Sequence, residues 1–138
     1  MQFTRRDALA VGAGAALVAG LPIRAMAMGD EYIEAFTGGA EVGEGGITLT
    51  APEIAENGNT VPIEVSAEGA TEIMVLALGN PVPPVATFKF GPLAASQDAK
   101  TRIRLAKTQD VVAIAKMDDG TFAKASASIK VTIGGCGG

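Results

Sequence analysis

In Phe122-Ala123-Lys124-Ala125-Ser126-Ala127-Ser128-Ile129-Lys130-Val131-Thr132-Ile133 apolar and polar residues alternate without a break from Ala123, and the stretch runs straight into Gly134-Gly135-Cys136-Gly137-Gly138. Alternation with a period of two puts Ala123, Ala125, Ala127, Ile129, Val131 and Ile133 on one face of a strand, with the lysines, serines and Thr132 on the other. A half-buried strand therefore delivers the chain to a glycine-rich tail that carries the only cysteine of the sequence. The tail has no side chain besides Cys136 with which to pack, so a flexible arm is expected over Gly134, Gly135, Gly137 and Gly138. At about 3.3 to 3.6 Å per residue, the thiol can extend at most roughly 10 Å beyond Ile133.

The same period recurs upstream. Ile47 and Leu49 alternate with Thr48 and Thr50, and Val61, Ile63 and Val65 with Pro62, Glu64 and Ser66. Asn57-Gly58-Asn59 between them is a turn signal. The run Thr71 to Leu78 is more continuously apolar, as expected of a strand covered on both faces, and Gln109 to Met117 is similar. Residues 79 to 84 hold three prolines and read as a loop. Ala86 to Phe90 and Thr101 to Leu105 alternate again. Asp119-Gly120 marks a hairpin before the last strand, and Asp30 to Phe36 reads as a short helix stopped by Gly38-Gly39. About seven strands with turns between them predict an all-β fold, an immunoglobulin-like β-sandwich with a short N-terminal helix.

The N-terminus carries Arg5-Arg6, an apolar stretch from Ala8 to Leu21, and Ala25-Met26-Ala27, a small-x-small cleavage pattern. The expected organisation is an export signal over residues 1–27, a sandwich domain over 28–133 and the arm over 134–138. The paired arginines match a twin-arginine signal, although Ala8 and Ala10 depart from that pattern, so a Sec signal stays open. Either route places the product in the periplasm. The apolar stretch falls short of the roughly 20 residues of a transmembrane helix, and no cysteine lies near the cleavage pattern, so no membrane anchor is expected.

Loss of the signal removes Arg5, Arg6, Arg24 and Asp7 and moves the formal net charge from −4 to −6, which disfavours nucleic acid as a partner. Every charged residue from Asp30 to Glu72 is acidic, whereas all lysines and arginines after the signal lie between Lys89 and Lys130. Such asymmetry either orients a partner or is surface charge scattered over the fold. With a single cysteine and no histidine, the chain can form neither an internal disulfide nor a Ser-His or Cys-His pair, and it lacks histidine metal ligands. No cofactor motif is present. Asp118-Asp119, Glu53 and Glu56 read as solvated carboxylates, and Gly43-Glu44-Gly45-Gly46, without a P-loop lysine, reads as a plain loop.

No Lys, Arg or His lies within five residues of Cys136, so nothing in the sequence lowers its thiol pKa from the ordinary value near 8.5. A group that is reachable but not activated suits a carrier acted upon by other active sites. The enzyme alternative is a periplasmic thiol-dependent oxidoreductase or sulfurtransferase with Cys136 as nucleophile, and a third reading is a structural or adhesion domain that uses the tail for an intermolecular disulfide.

Gly134-Gly135-Cys136-Gly137-Gly138, together with Ile54-Ala55-Glu56-Asn57-Gly58, Asn80-Pro81 and Thr101 to Gln109, resembles the SoxY family, sulfur carriers of the periplasmic thiosulfate-oxidising Sox system. The resemblance implies a heterodimer with SoxZ, a second β-sandwich subunit. It implies covalent attachment of thiosulfate to Cys136 by the c-type cytochrome SoxAX, release of sulfate by the manganese-dependent hydrolase SoxB, and, where present, further oxidation by SoxCD. A carrier of this kind catalyses nothing and holds no cofactor of its own.

Overall fold

The computed structural model describes residues 23–134. One helix, α1 (Ile23–Thr37), is followed by nine strands: β1 (Val42–Glu44), β2 (Thr48–Thr50), β3 (Ile54–Asn57), β4 (Val61–Ser66), β5 (Ala70–Ala77), β6 (Pro84–Lys89), β7 (Asp98–Ile103), β8 (Gln109–Met117) and β9 (Phe122–Ile133). The expected helix is there but begins earlier, at Ile23, and it stops as foreseen: Gly38 adopts φ 68° and donates its N–H to the Glu34 carbonyl at 2.8 Å. That left-handed cap suits glycine because no Cβ meets the backbone.

Two sheets pack face to face. The larger has the order β1-β9-β8-β5-β6, with β3 also on β9, and the smaller has the order β2-β4-β7. The strands beyond the expected seven are β1 and β3, which pair in parallel with β9 at its two ends. They are only three and four residues long, too short for a period to show. The loop expected through residue 84 ends one residue sooner, because Pro84 opens β6, an edge strand that tolerates a missing N–H at its start.

Burial follows the alternation. Val61, Ile63 and Val65 of β4 face Ile73, Val75 and Ala77 of β5 and Val111, Ala113 and Ala115 of β8 in one core between the sheets. The opposite side chains of β5 and β8, Met74, Leu76, Val112 and Ile114, are covered by Tyr32, Ile33 and Phe36 of α1. The apolar run in β5 is continuous because a sheet lies on one face and a helix on the other. Phe122, at the start of β9, joins the helix side, with its ring 6.0 Å from that of Phe36 and inclined at 70°, an edge-to-face arrangement.

The β8–β9 hairpin closes at Asp118-Asp119-Gly120-Thr121. Gly120 takes φ 86° and Met117 N–H donates to Thr121 O at 2.8 Å, while Asp119 Oδ1 accepts from the Thr121 hydroxyl at 2.6 Å. The Thr121 hydroxyl and the Thr121 N–H, which donates to the same oxygen at 2.9 Å, hold the Asp119 pKa below its usual value.

The charge asymmetry of the sequence becomes cross-strand pairing. In the pairs β4–β7 and β5–β6 one strand comes from the acidic stretch and one from the basic, so Glu64 stands opposite Lys100 at 3.5 Å and Glu72 opposite Lys89 at 3.9 Å. Being exposed, each pair contributes at most about 1 kcal/mol. Their arrangement fits the scattered-charge reading.

Ile129, fully buried, is the last residue of β9 to pair with β8. Trimming one methylene there, Ile129→Val, is expected to cost about 1 kcal/mol in equilibrium urea unfolding. Ile133, expected inward, is 65% exposed because β9 runs past the end of β8 and out of the core.

Candidate functional site

Beyond Ile129 the overrun of β9 is held by two separate segments, residues 54–58 and Thr108. On one edge β3 pairs with it, matching Ile54 to Lys130, Ala55 to Val131 and Asn57 to Ile133. On the other, Thr108 bonds both ways to Val131: its Oγ1 accepts from the Val131 N–H at 2.9 Å and donates to the Val131 carbonyl at 3.4 Å. Gly58 closes the end, giving its N–H to the Ile133 carbonyl and accepting from the Leu105 N–H, each at 2.7 Å. The last residues of β9 are thus anchored although they are solvent-exposed.

The strand expected over Thr101 to Leu105 ends at Ile103, and Arg104–Thr108 form a loop. Its backbone is taken up instead by two buried amide side chains, Asn80 at 4% exposure and Gln109 at 9%. Asn80 Nδ2 donates to the Arg104 carbonyl at 2.8 Å, and Asn80 Oδ1 accepts from the Ala106 N–H and from Gln109 Nε2, each at 2.9 Å. Gln109 Nε2 also donates to the Lys107 carbonyl at 2.9 Å, and its Oε1 accepts from the Gly79 N–H at 2.8 Å. Leu105 is buried completely beneath this network. Every polar atom of the two amides is used, as burial demands.

This loop meets the tail at Gly134. A Cβ placed on Gly134 would lie 2.2 Å from the Ala106 carbonyl oxygen and 3.2 Å from its carbon. Gly134 does not adopt a positive φ, so the requirement for glycine comes from the close approach. Of the expected arm, Gly134 is described, while Gly135, Cys136, Gly137 and Gly138 lie outside the described residues, as do Arg5 and Arg6. Ala25 and Ala27 fall in the first part of α1.

The structure brings together three stretches that the sequence offered only as separate blocks. Residues 54–58 supply β3 and the closing turn, Asn80 supplies the buried amide, and residues 101–109 supply the loop and its second amide; all three converge at the foot of the tail. Sequence reasoning missed Asn80 and Gln109 as a pair. The one available signal was an asparagine held between Gly79 and Pro81.

Among the described residues, no group of three or more His, Cys, Asp or Glu side chains is placed to hold a metal ion. No helix among them is long and apolar enough to cross a membrane.

An immunoglobulin-like sandwich whose interior last described strand is anchored up to its final residue, followed by a glycine close against the Ala106 carbonyl and, in the sequence, by a single cysteine, defines a β-sandwich with a tail-borne thiol. Residues 33–136 match the family of the sulfur oxidation protein SoxY. The chain belongs to the SoxY family.

Among solved structures it is similar to the sulfur carrier protein SoxY from Chlorobium limicola f thiosulfatophilum, with 34% identity, a TM-score of 0.69, and coverage of 78% of this chain and 94% of that one. It also resembles superoxide reductase (neelaredoxin) from Ignicoccus hospitalis, with 22% identity, a TM-score of 0.54, and coverage of 63% and 80%. That second likeness is one of fold alone. No curated protein sequence matches the chain significantly.

Proposed function

We propose that the chain is a sulfur carrier in thiosulfate oxidation and that Cys136 is its attachment point. The observation that supports this reading is the anchored overrun of β9, which leads into a stretch whose sequence carries the chain's only thiol two residues after Gly134. In the first step the Cys136 thiol and thiosulfate are joined by a sulfur–sulfur bond, giving a cysteine S-thiosulfonate, one proton and two electrons. The electrons pass to a c-type cytochrome partner of the SoxAX kind. A hydrolase of the SoxB kind then adds water across the terminal sulfur–sulfur bond, leaving a cysteine persulfide and releasing sulfate and a proton. Where a dehydrogenase of the SoxCD kind exists, it oxidises the remaining sulfane sulfur.

The chain has no histidine to pair with Cys136 and no second thiol that could displace the cargo. It therefore works as a substrate-bearing subunit and is not an enzyme. A SoxZ-like β-sandwich is its constant partner, and contacts with the enzymes are transient. Arg5 and Arg6 direct export, cleavage follows Ala27, residues 28–133 form the carrier domain, residues 134–138 form its arm, and the mature protein works in the periplasm.

The test is the intact mass of the exported protein from cells grown on thiosulfate. Reducible sulfur adducts at Cys136 support the carrier reading; an unmodified thiol, together with turnover by the isolated chain, overturns it. A second measurement bears on the thiol itself. With an ordinary pKa near 8.5, alkylation of Cys136 by iodoacetamide should rise about tenfold per pH unit from about pH 6 to 8. A plateau already reached at about pH 7 would instead mark an activated nucleophile.

A further inference from the structure

The glycines of the tail do not have equivalent surroundings. Gly134 is pressed against the Ala106 carbonyl, at a separation that leaves no room for a Cβ. Both sides of that contact are fixed. Ile133 is bound through Gly58, Gly58 through Leu105, and Ala106 through Asn80, which Gln109 braces in turn. The result is a chain of hydrogen bonds that runs from the end of β9 to Ala106, and the close approach of the Ala106 carbonyl to Gly134 completes the circuit.

We infer that Gly134 is a clamp and not a hinge: the Asn80–Gln109 network holds the Ala106 carbonyl against it, so that the carrier arm starts to move only at Gly135 and leaves the domain in one set direction. This rests on the carrier reading. Freedom at Gly134 would let the arm sweep back over the sandwich. Clamping removes those directions at the cost of one residue of length, so the thiol reaches at most about 7 Å from the clamp. The conformational entropy lost when a partner's pocket receives the arm is correspondingly smaller, since part of it has been lost already on folding. Asn80 and Gln109 are then positioning residues: they touch neither thiol nor substrate, and act through Ala106.

Backbone order parameters of the full mature chain, measured by nitrogen-15 relaxation in complex with its partner subunit, test the clamp directly. Gly134 should show the value of about 0.85 typical of rigid backbone, with a fall below about 0.6 from Gly135 onward. A value below about 0.6 at Gly134 itself overturns the inference.

The functional arm of the test uses Gly134→Ala, with Gly91→Ala as the control because a Cβ at Gly91 meets nothing within 4 Å. Misplacing a reacting group by about 1 Å can cost about a hundredfold. Gly134→Ala should therefore lower kcat/KM for enzymatic loading of thiosulfate by about tenfold to a hundredfold, while alkylation of Cys136 by iodoacetamide changes less than about twofold. Loading equal to that of the unsubstituted chain overturns the clamp. If Gly134→Ala does not fold, the order parameters decide alone. Absence of loading in the unsubstituted chain would defeat the carrier reading, whereas the order parameters would still pass or fail the clamp.

Discussion

A Cys136→Ser chain purified from cells grown on thiosulfate carries no reducible sulfur adduct, and its unfolding free energy stays within about 0.5 kcal/mol of the unsubstituted chain. The first result follows from the bond being made. Sulfur joins sulfur through a thiolate, and a serine hydroxyl forms no disulfide-type bond under these conditions. The loss should be complete, because the sequence has no second cysteine to take over. The second result follows from where the stability resides: the buried cluster is built from β2 to β9 and lies upstream of Gly134. Mass spectrometry and urea unfolding of the same preparation read both. An adduct on the variant would place the cargo elsewhere, and destabilisation by more than about 1 kcal/mol would mean that the thiol packs in the domain.

Asn80→Ala should be among the most damaging polar substitutions in the domain, costing about 3 kcal/mol. The side chain makes three hydrogen bonds, to Arg104 O, Ala106 N and Gln109 Nε2. Each such bond contributes about 1 kcal/mol net, and a buried partner left without one adds a desolvation penalty of about 1 to 3 kcal/mol. For a domain of this size the melting temperature should fall by about 12 to 20 °C. The loop from Arg104 to Thr108 should loosen first, so hydrogen exchange at Ala106 and Val131 should accelerate more than in β5. Uniform acceleration across the sheet would show that Asn80 stabilises the fold without holding this loop. A melting temperature lowered by less than about 4 °C would mean that water replaces the amide without loss.

The core was legible in the sequence wherever a strand was long enough to show its period. The alternation of β4 and β9, the continuous run of β5 and the Asp119-Gly120 turn all name their structural roles directly. Parallel pairing of β1 and β3 with β9 was not legible, because it depends on which edge remains free once the other strands are in place. Ile133 misled for a related reason: alternation says which face a side chain takes, and not whether anything lies above that face.

At the site, the unusual cysteine and its glycines were evident, and so were the blocks around Asn57, Asn80 and Thr101. Their convergence was hidden, because hydrogen bonds between residues 24 to 29 positions apart leave no local pattern. Gly134 looked like its neighbours in the tail until the Ala106 carbonyl was seen beside it.

The place of β9 also sets the order in which the protein can come together. It follows every other described strand in the chain, yet it lies inside the large sheet, with β8 on one side and β1 and β3 on the other. Pairings such as Val42 with Phe122 join distant parts of the chain, a topology that slows two-state folding toward milliseconds or longer. Until β9 has been synthesised as far as Ile129, β8 presents an open apolar edge that invites association with other chains. A nascent chain therefore cannot finish its sandwich before the strand that leads into the tail has emerged, so the strand that carries the arm is also the one that completes the fold.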